Sequence, residues 1–346
     1  MAENAKAPQE RIVLDVAYQP QVRTKTDTRR IMLDVIIALL PAVAAAVWQF
    51  GFGVLLVIGA SVGSAVFFEW GYRKLLKKSG SIDDLSAAVT GLLLALTLPP
   101  TAPWWLPVVG TLFAIVVVKQ LYGGIGKNFL NPALAGRAFL LASYALLMGQ
   151  YSVPNSLVGA VDGITMATPL SYLYGDTPLP VYLSYDNLFL GITPGAIGEI
   201  STAALLIGGL YLIARRVISW RIPVSFIGTV ALLTLIFGRN GDHFGFMLGN
   251  LLSGGLFLGA IFMATDYATS PVTLKGQLLY GFGCGALTVL IRYFGGFPEG
   301  VSYAILIMNL CAWAIDKGFR RYPFGTDKEA IQADKAARKA KKEAAK

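Results

Sequence analysis

Ten apolar stretches restrict this chain more than any other feature; they lie near residues 31–50, 52–72, 85–100, 104–122, 129–149, 202–214, 222–238, 246–265, 277–293 and 299–317. A bilayer core about 30 Å thick takes about 20 apolar residues of helix, because a segment in lipid must satisfy its own backbone N–H and C=O groups. Several of the ten fall short of that length and need tilt or shelter from neighbours to cross. Composition agrees: 55% of residues are hydrophobic and 14% charged, too few charges for a surface that meets water on every side. The expected fold class is all-α, a polytopic membrane protein of about ten transmembrane helices.

Charge placement orients these spans. Residues 1–30 are polar and carry Arg11, Arg23, Lys25, Arg29 and Arg30, so no cleavable leader is expected and this segment is assigned to the cytoplasm. Basic residues recur after every second span: Arg73, Lys74, Lys77 and Lys78; Lys119 and Lys127; Arg215, Arg216 and Arg221; Lys275; and Lys317, Arg320 and Arg321. The opposite connections are nearly bare, and residues 138–214 hold no Lys or Arg at all. The stretch 150–201 is therefore expected on the extracytoplasmic side, and the basic tail 318–346 on the cytoplasmic side. Arg239 and Arg292 fall near outer ends as exceptions.

The net charge of +9 comes from these clusters and this tail, with no basic face interleaved with aromatics, so nucleic acid is not an expected partner. Cys284, Cys311 and the single His243 lie far apart in sequence and imply neither a disulfide framework nor a metal site. GFGCGA at 281–286 sits inside an apolar span, where glycines serve helix packing rather than a nucleotide.

Residues 31–149 and 202–317 hold five spans each, and an odd number turns the second half upside down relative to the first. LSAAVTGLLLALTLPP from Leu85 resembles LLSGGLFLGAIFMATDYATSP from Leu251, and GGIGKNFLNPALAGRAFLL pairs with GGFPEGVSYAILIMNL. Inverted repeats with broken helices place polar groups at mid-membrane depth in transporters and channels.

Three polar features stand out. DGITMATPL, residues 162–170, puts Asp162, Thr165 and Thr168 in the outward stretch, with Gly163 and Pro169 forcing a turn; a threonine there is a helix cap or a modification site. Asn128 and Asn131, in GKNFLNPALAGRA, open the fifth span three residues apart, and read either as caps or as amides offered to a polar ligand. Asp266, in FMATDYATSP, follows a long apolar run; a carboxylate there belongs to an ion or proton pathway or to the interface.

The spacing Asp162, Thr165, Ala167, Thr168 resembles the D-x-x-[ST]-x-A-T signature at which a flavin transferase joins FMN through its phosphate to the final threonine. With RRIMLDVIIALLPA, AAVTGLLLALTLPPTAPWW, GKNFLNPALAGRAFL, FMATDYATSP and FPEGVSYAILIMN, the chain from about residue 20 to 325 resembles the D subunits of Rnf complexes, which are ion-translocating ferredoxin:NAD oxidoreductases. More distantly it resembles the B subunits of sodium-translocating NADH:quinone reductases.

That resemblance implies a component of an electron-driven pump for Na+ or H+ in the prokaryotic inner membrane, with both termini cytoplasmic. It implies covalent FMN on Thr168, with Asp162, Thr165 and Ala167 as the recognition pattern. It further implies noncovalent riboflavin near Asn128 and Asn131, and ion movement past Asp266 and Phe262. The partners implied are the other members of the complex, the flavin transferase and the lipid bilayer. Met166 departs from the small glycine common in the signature. The alternative is a solute or ion channel on the same repeat without a redox role, which has no reason to carry DGITMATPL.

Overall fold

The computed structural model describes residues 27–77, 83–152, 166–175, 184–239, 241–295 and 299–319, with single positions at 154, 180, 332 and 336. Asp162, Thr165, most of the N-terminal segment and nearly all of the basic tail lie outside the described residues. Regular structure among the described residues is helical, and a helix occupies each of the ten expected stretches.

Two long helices open the chain, α1 (Thr28–Phe50) and α2 (Gly53–Leu75), followed by the short α3 (Ser86–Leu96). Next come α4 (Trp105–Leu112), which runs on as π-helix over Phe113–Gln120, then α5 (Pro132–Ser143) and α6 (Ala145–Met148). Two small helices, α7 (Pro169–Tyr174) and α8 (Tyr185–Leu190), lie in the stretch between the halves. The second half comprises α9 (Thr202–Ala214), α10 (Arg221–Ile236) and α11 (His243–Leu252). It continues with α12 (Leu256–Leu258, extended as π-helix over Gly259–Met263), α13 (Leu274–Phe294) and α14 (Val301–Gly318).

By length and apolarity α1, α2 and α13 can each cross a membrane alone, while α11 and α12 reach that length only together, bent by 59° at their break, as a broken span or a re-entrant loop. Trp48, Phe52, Leu56 and Phe67 point outward from α1, α2 and their joint, where acyl chains rather than water are the solvent. The chain is a polytopic membrane protein.

The two halves repeat one another's packing. In the first, α2 packs on α3 and α4, and α5 packs on the π-helical end of α4; in the second, α10 packs on α11 and α13, and α14 packs on α13. The α1–α9 pair joins the halves. Gly208 permits that approach, since a Cβ there would lie 2.0 Å from the Ala38 carbonyl oxygen.

The inner helices α3 and α12 position everything that follows. All residues of α3 except Ala88 are buried, as a helix apolar on nearly every side requires, and α12 is buried from Leu258 through Met263. Each starts beside a left-handed residue, Leu85 (φ 60°) and Gly255 (φ 64°). Gly255 needs to be glycine twice over, because its Cβ would also sit 2.5 Å from a Glu199 carboxylate oxygen.

The stretch 150–201 is not plain loop. Besides α7 and α8, residues 196–200 fold back under the end of α3, where Ile197 N–H donates to the Leu98 carbonyl (2.9 Å) and Gly198 N–H to the Leu96 carbonyl (2.7 Å). A helix that stops inside the protein leaves its last carbonyls without partners, and this returning segment supplies them.

Candidate functional site

A cavity of about 90 Å³ lies at the N-terminal end of α3 and the C-terminal end of α12. It brings together four residues singled out in the sequence, Asn128, Asn131, Phe262 and Asp266, along with Ser86, Thr90, Lys119 and Thr265. Asn131 is fully engaged. Its Oδ1 caps α5, accepting from Ala133 N–H (3.0 Å) and Leu134 N–H (3.3 Å), while its Nδ2 donates to the Met263 carbonyl at the end of α12 (3.1 Å).

The asparagine of the paired stretch meets it: with the Asn309 amide oriented to satisfy its neighbours, Asn309 Oδ1 accepts from Asn131 N–H at 3.1 Å. Asn128 is buried and donates Nδ2 to the Leu130 carbonyl (3.0 Å). Asp266 is half-buried at the turn after α12 and accepts from the Thr269 hydroxyl (3.1 Å). Phe262 is buried in the π-helical part of α12.

Lys119, expected in a cytoplasmic connection, is instead buried at the cavity wall. Its ammonium donates to Glu69 Oε2 (2.9 Å) and to Ser86 Oγ (2.6 Å). Glu69, which the charge pattern along the chain does not single out, is itself buried and also accepts from Arg73 (2.7 Å) and Gln120 (2.8 Å). Carboxylate and ammonium compensate one another, which lets both leave water. The available signal was Glu69 itself, an acid inside the apolar run FFEW.

Six residues along α5 from Asn131, about 9 Å at 1.5 Å per residue, a second buried charge cluster surrounds the start of α12. Arg137 donates to Glu199 Oε1 (2.8 Å) and to Glu299 Oε2, and Tyr151 donates to Glu299 Oε1 (3.1 Å). Arg292, an exception to the charge pattern near an outer end, is buried here too. It donates to the carbonyls of Asn250 (2.8 Å), Ser253 (3.3 Å) and Gly254 (3.4 Å), closing the break between α11 and α12. Each inner helix thus starts against a buried cation from the end of a neighbouring span: Lys119 for α3, Arg292 for α12. An arginine in the run AGRAFLL was the signal for Arg137, since a charge inside a span is costly unless paired.

Thr168 stands above this cluster. It is half-buried, sits at the N-cap position of α7, and its hydroxyl makes no cap bond, so the capping alternative does not hold. The neighbouring Ala167 is exposed. Helix α7 docks through Leu170 and Leu173 against Phe246, and through Tyr174, whose hydroxyl donates to Asn250 Oδ1 (2.7 Å). Asn250 Oδ1 also accepts from Arg292 (3.2 Å), so the Thr168 segment and the broken helix share one hydrogen-bonded set. Helices α3 and α12 run antiparallel between the two sites: Ser86 and Phe262 line the cavity, whereas Thr97 and Gly255 line the pocket beside Arg137, Glu199 and Glu299.

This pairing of antiparallel half-helices with buried charges coincides with a family signature over most of the chain. Residues 15–325 match the model of the NQR2, RnfD, RnfE family. The D subunit of the Na(+)-translocating ferredoxin:NAD(+) oxidoreductase complex of Acetobacterium woodii is 48% identical over 319 residues, covering 91% of this chain and 96% of that protein. Its counterpart in the proton-translocating ferredoxin:NAD(+) oxidoreductase complex of Clostridium ljungdahlii is 42% identical over 330 residues, covering 93% and 99%. The D subunit of an ion-translocating oxidoreductase complex from Shewanella amazonensis is 38% identical, covering 90% and 97%. Matched over residues 15–325 and at these identities over nine-tenths of its length, the chain belongs to the NQR2, RnfD, RnfE family.

Proposed function

We propose that this chain is the D-type membrane component of an ion-translocating ferredoxin:NAD+ oxidoreductase, carrying electrons through FMN held covalently on Thr168 and through riboflavin in the cavity at Asn128. The observation that carries the reading is the uncommitted Thr168 hydroxyl beside an exposed Ala167, in a chain whose relatives are named for this complex. Esterification there breaks no hydrogen bond among the described residues. A flavin transferase would join the Thr168 oxygen to the FMN phosphorus of FAD, releasing AMP and passing the hydroxyl proton to a base. Asp162 and Thr165, its expected recognition residues, lie outside the described residues.

Bound flavin supplies the electron transfer; the protein supplies position and surroundings. Val35, Val89, Leu93 and Phe262 give the cavity apolar walls, suited to a flat aromatic ring system. Asn128, whose Nδ2 donates to the Leu130 carbonyl, would offer its Oδ1 to the N–H edge of a bound flavin ring. Asn131 acts one step back, fixing α5 to α12 at the rim. Asp266 and Phe262 line the same cavity, which supports an ion pathway next to the flavin. The relatives' names include both ions, so Na+ or H+ is the coupling ion, and the other members of the complex and the lipid bilayer are its partners.

Asn131→Ala is the test of the cavity assignment. In the purified chain it should leave the covalent flavin in place and lower acid-extractable riboflavin by about tenfold, the loss of roughly 1.4 kcal/mol of site stabilisation. Undiminished riboflavin would remove the cavity from the account.

Orientation has its own test. With the Thr168 end outside, Asp186→Cys in a Cys311→Ser background should react with a membrane-impermeant maleimide added to intact cells, because Asp186 is exposed at the start of α8. Reaction only after lysis would invert the topology.

A further inference from the structure

A cavity of about 20 Å³ lies directly beneath Thr168, lined by Thr193, Glu199, Ser253, Gly254 and Glu299. That volume holds one water-sized occupant. We propose that it is a binding site for a small monovalent cation, held by Glu199, Glu299 and Ser253 and completed by the phosphodiester on Thr168.

Its donors are oxygens: two carboxylates and the hydroxyls of serine and threonine, the hard ligands that alkali cations prefer. Ser253 carries the clearest indication. It is 5% exposed, lines the cavity, and its hydroxyl is buried with no hydrogen-bond partner among the described residues. Such a group is costly unless something meets it. Glu199 gives Oε1 to Arg137, and among the described residues its Oε2 receives no hydrogen bond, so one carboxylate oxygen is available as well.

Charge fixes the valence. Arg137 bonds Glu199 and Glu299 and Arg292 lies against Gly254 at the cavity wall, so with both carboxylates ionised the two guanidinium charges cancel theirs. A phosphodiester on Thr168 adds one negative charge at the cavity roof, and burying it without a counter-charge is unfavourable. One monovalent cation restores neutrality, and a divalent one would overshoot. An anion is disfavoured because both charged groups lining the cavity are carboxylates. The charge count rests on the flavin reading, whereas the donor set does not.

The test is thermal unfolding of the purified full chain in sodium chloride against choline chloride at equal ionic strength, with covalent flavin read on the same samples by fluorescence of the denatured band. The wild-type chain should show a saturable rise in Tm with sodium that choline does not give. Ser253→Ala deletes a hydroxyl that bonds nothing, so it should match wild type in choline and keep its flavin, yet need at least about fivefold more sodium for the same rise. Glu199→Gln should lose more. A sodium response identical in Ser253→Ala and wild type, or absent from wild type, would overturn the site. Thr168→Val separates the two readings: lowered sodium affinity supports the phosphodiester as a ligand, and unchanged affinity overturns that part of the proposal.

Discussion

Arg137→Met should prevent the chain from accumulating as a folded membrane protein. Arg137 is buried, and its guanidinium holds Glu199 and Glu299 at once. Methionine fills much of the same volume but leaves two carboxylates facing each other without the guanidinium that bonds them both. Removing one side of a buried ion pair costs about 3–5 kcal/mol, a large part of the roughly 5–15 kcal/mol that holds a typical domain together. The damage would spread, because Glu199 also lies against Gly255 at the start of α12 and Glu299 precedes α14. Arg137→Lys keeps the charge but cannot reach both carboxylates with one flat fork, and should be intermediate. The measurement is the amount of chain recovered as a monodisperse species in mild detergent. Recovery of Arg137→Met at the wild-type level would show that the cluster is not what holds α5 to the break.

Thr168→Val has the largest expected effect on function and almost none on the fold. The substitution preserves the β-branched shape, and the lost hydroxyl makes no cap bond, while the Thr168 carbonyl that Ser171 uses is untouched. The purified chain should therefore keep its wild-type Tm in choline chloride and lose all covalent flavin. In the assembled complex, ferredoxin-to-NAD+ electron transfer should fall to background, because the electron must then jump the distance the missing carrier divided. Wild-type turnover by a flavin-free variant would separate Thr168 from the electron path.

The apolar runs made the helices legible. A run such as STAALLIGGLYLIA between two charged or polar joints leaves the backbone one way to satisfy itself in lipid, and α9 falls on the expected span 202–214. Asn128, Asn131, Phe262 and Asp266 were legible only as motifs of a resembled family, and their meeting in one cavity was not legible at all, since no spacing rule places residue 131 against residue 263. The buried charges were hidden for a physical reason. A basic residue beside an apolar run looks the same whether it faces water or an acid on another helix, and the partners of Lys119 and Arg137 lie 50, 62 and 162 residues away. Counting Lys119 among the connections is correct about the end of its span and wrong about its surroundings. The returning segment 196–200 was hidden for a similar reason: its bonds to the end of α3 are made by backbone, which leaves no mark in side-chain pattern.

The central claim, that Thr168 holds a flavin through its phosphate, meets its most direct test in the mass of one peptide. The chain, expressed with a flavin transferase and denatured before digestion, should yield a peptide containing Met166–Leu170 heavier by one FMN less one water, with fragmentation placing the addition on Thr168. The matching peptide from Thr168→Val should be unmodified. An unmodified wild-type peptide, or an addition on Thr165 in its place, would contradict the account.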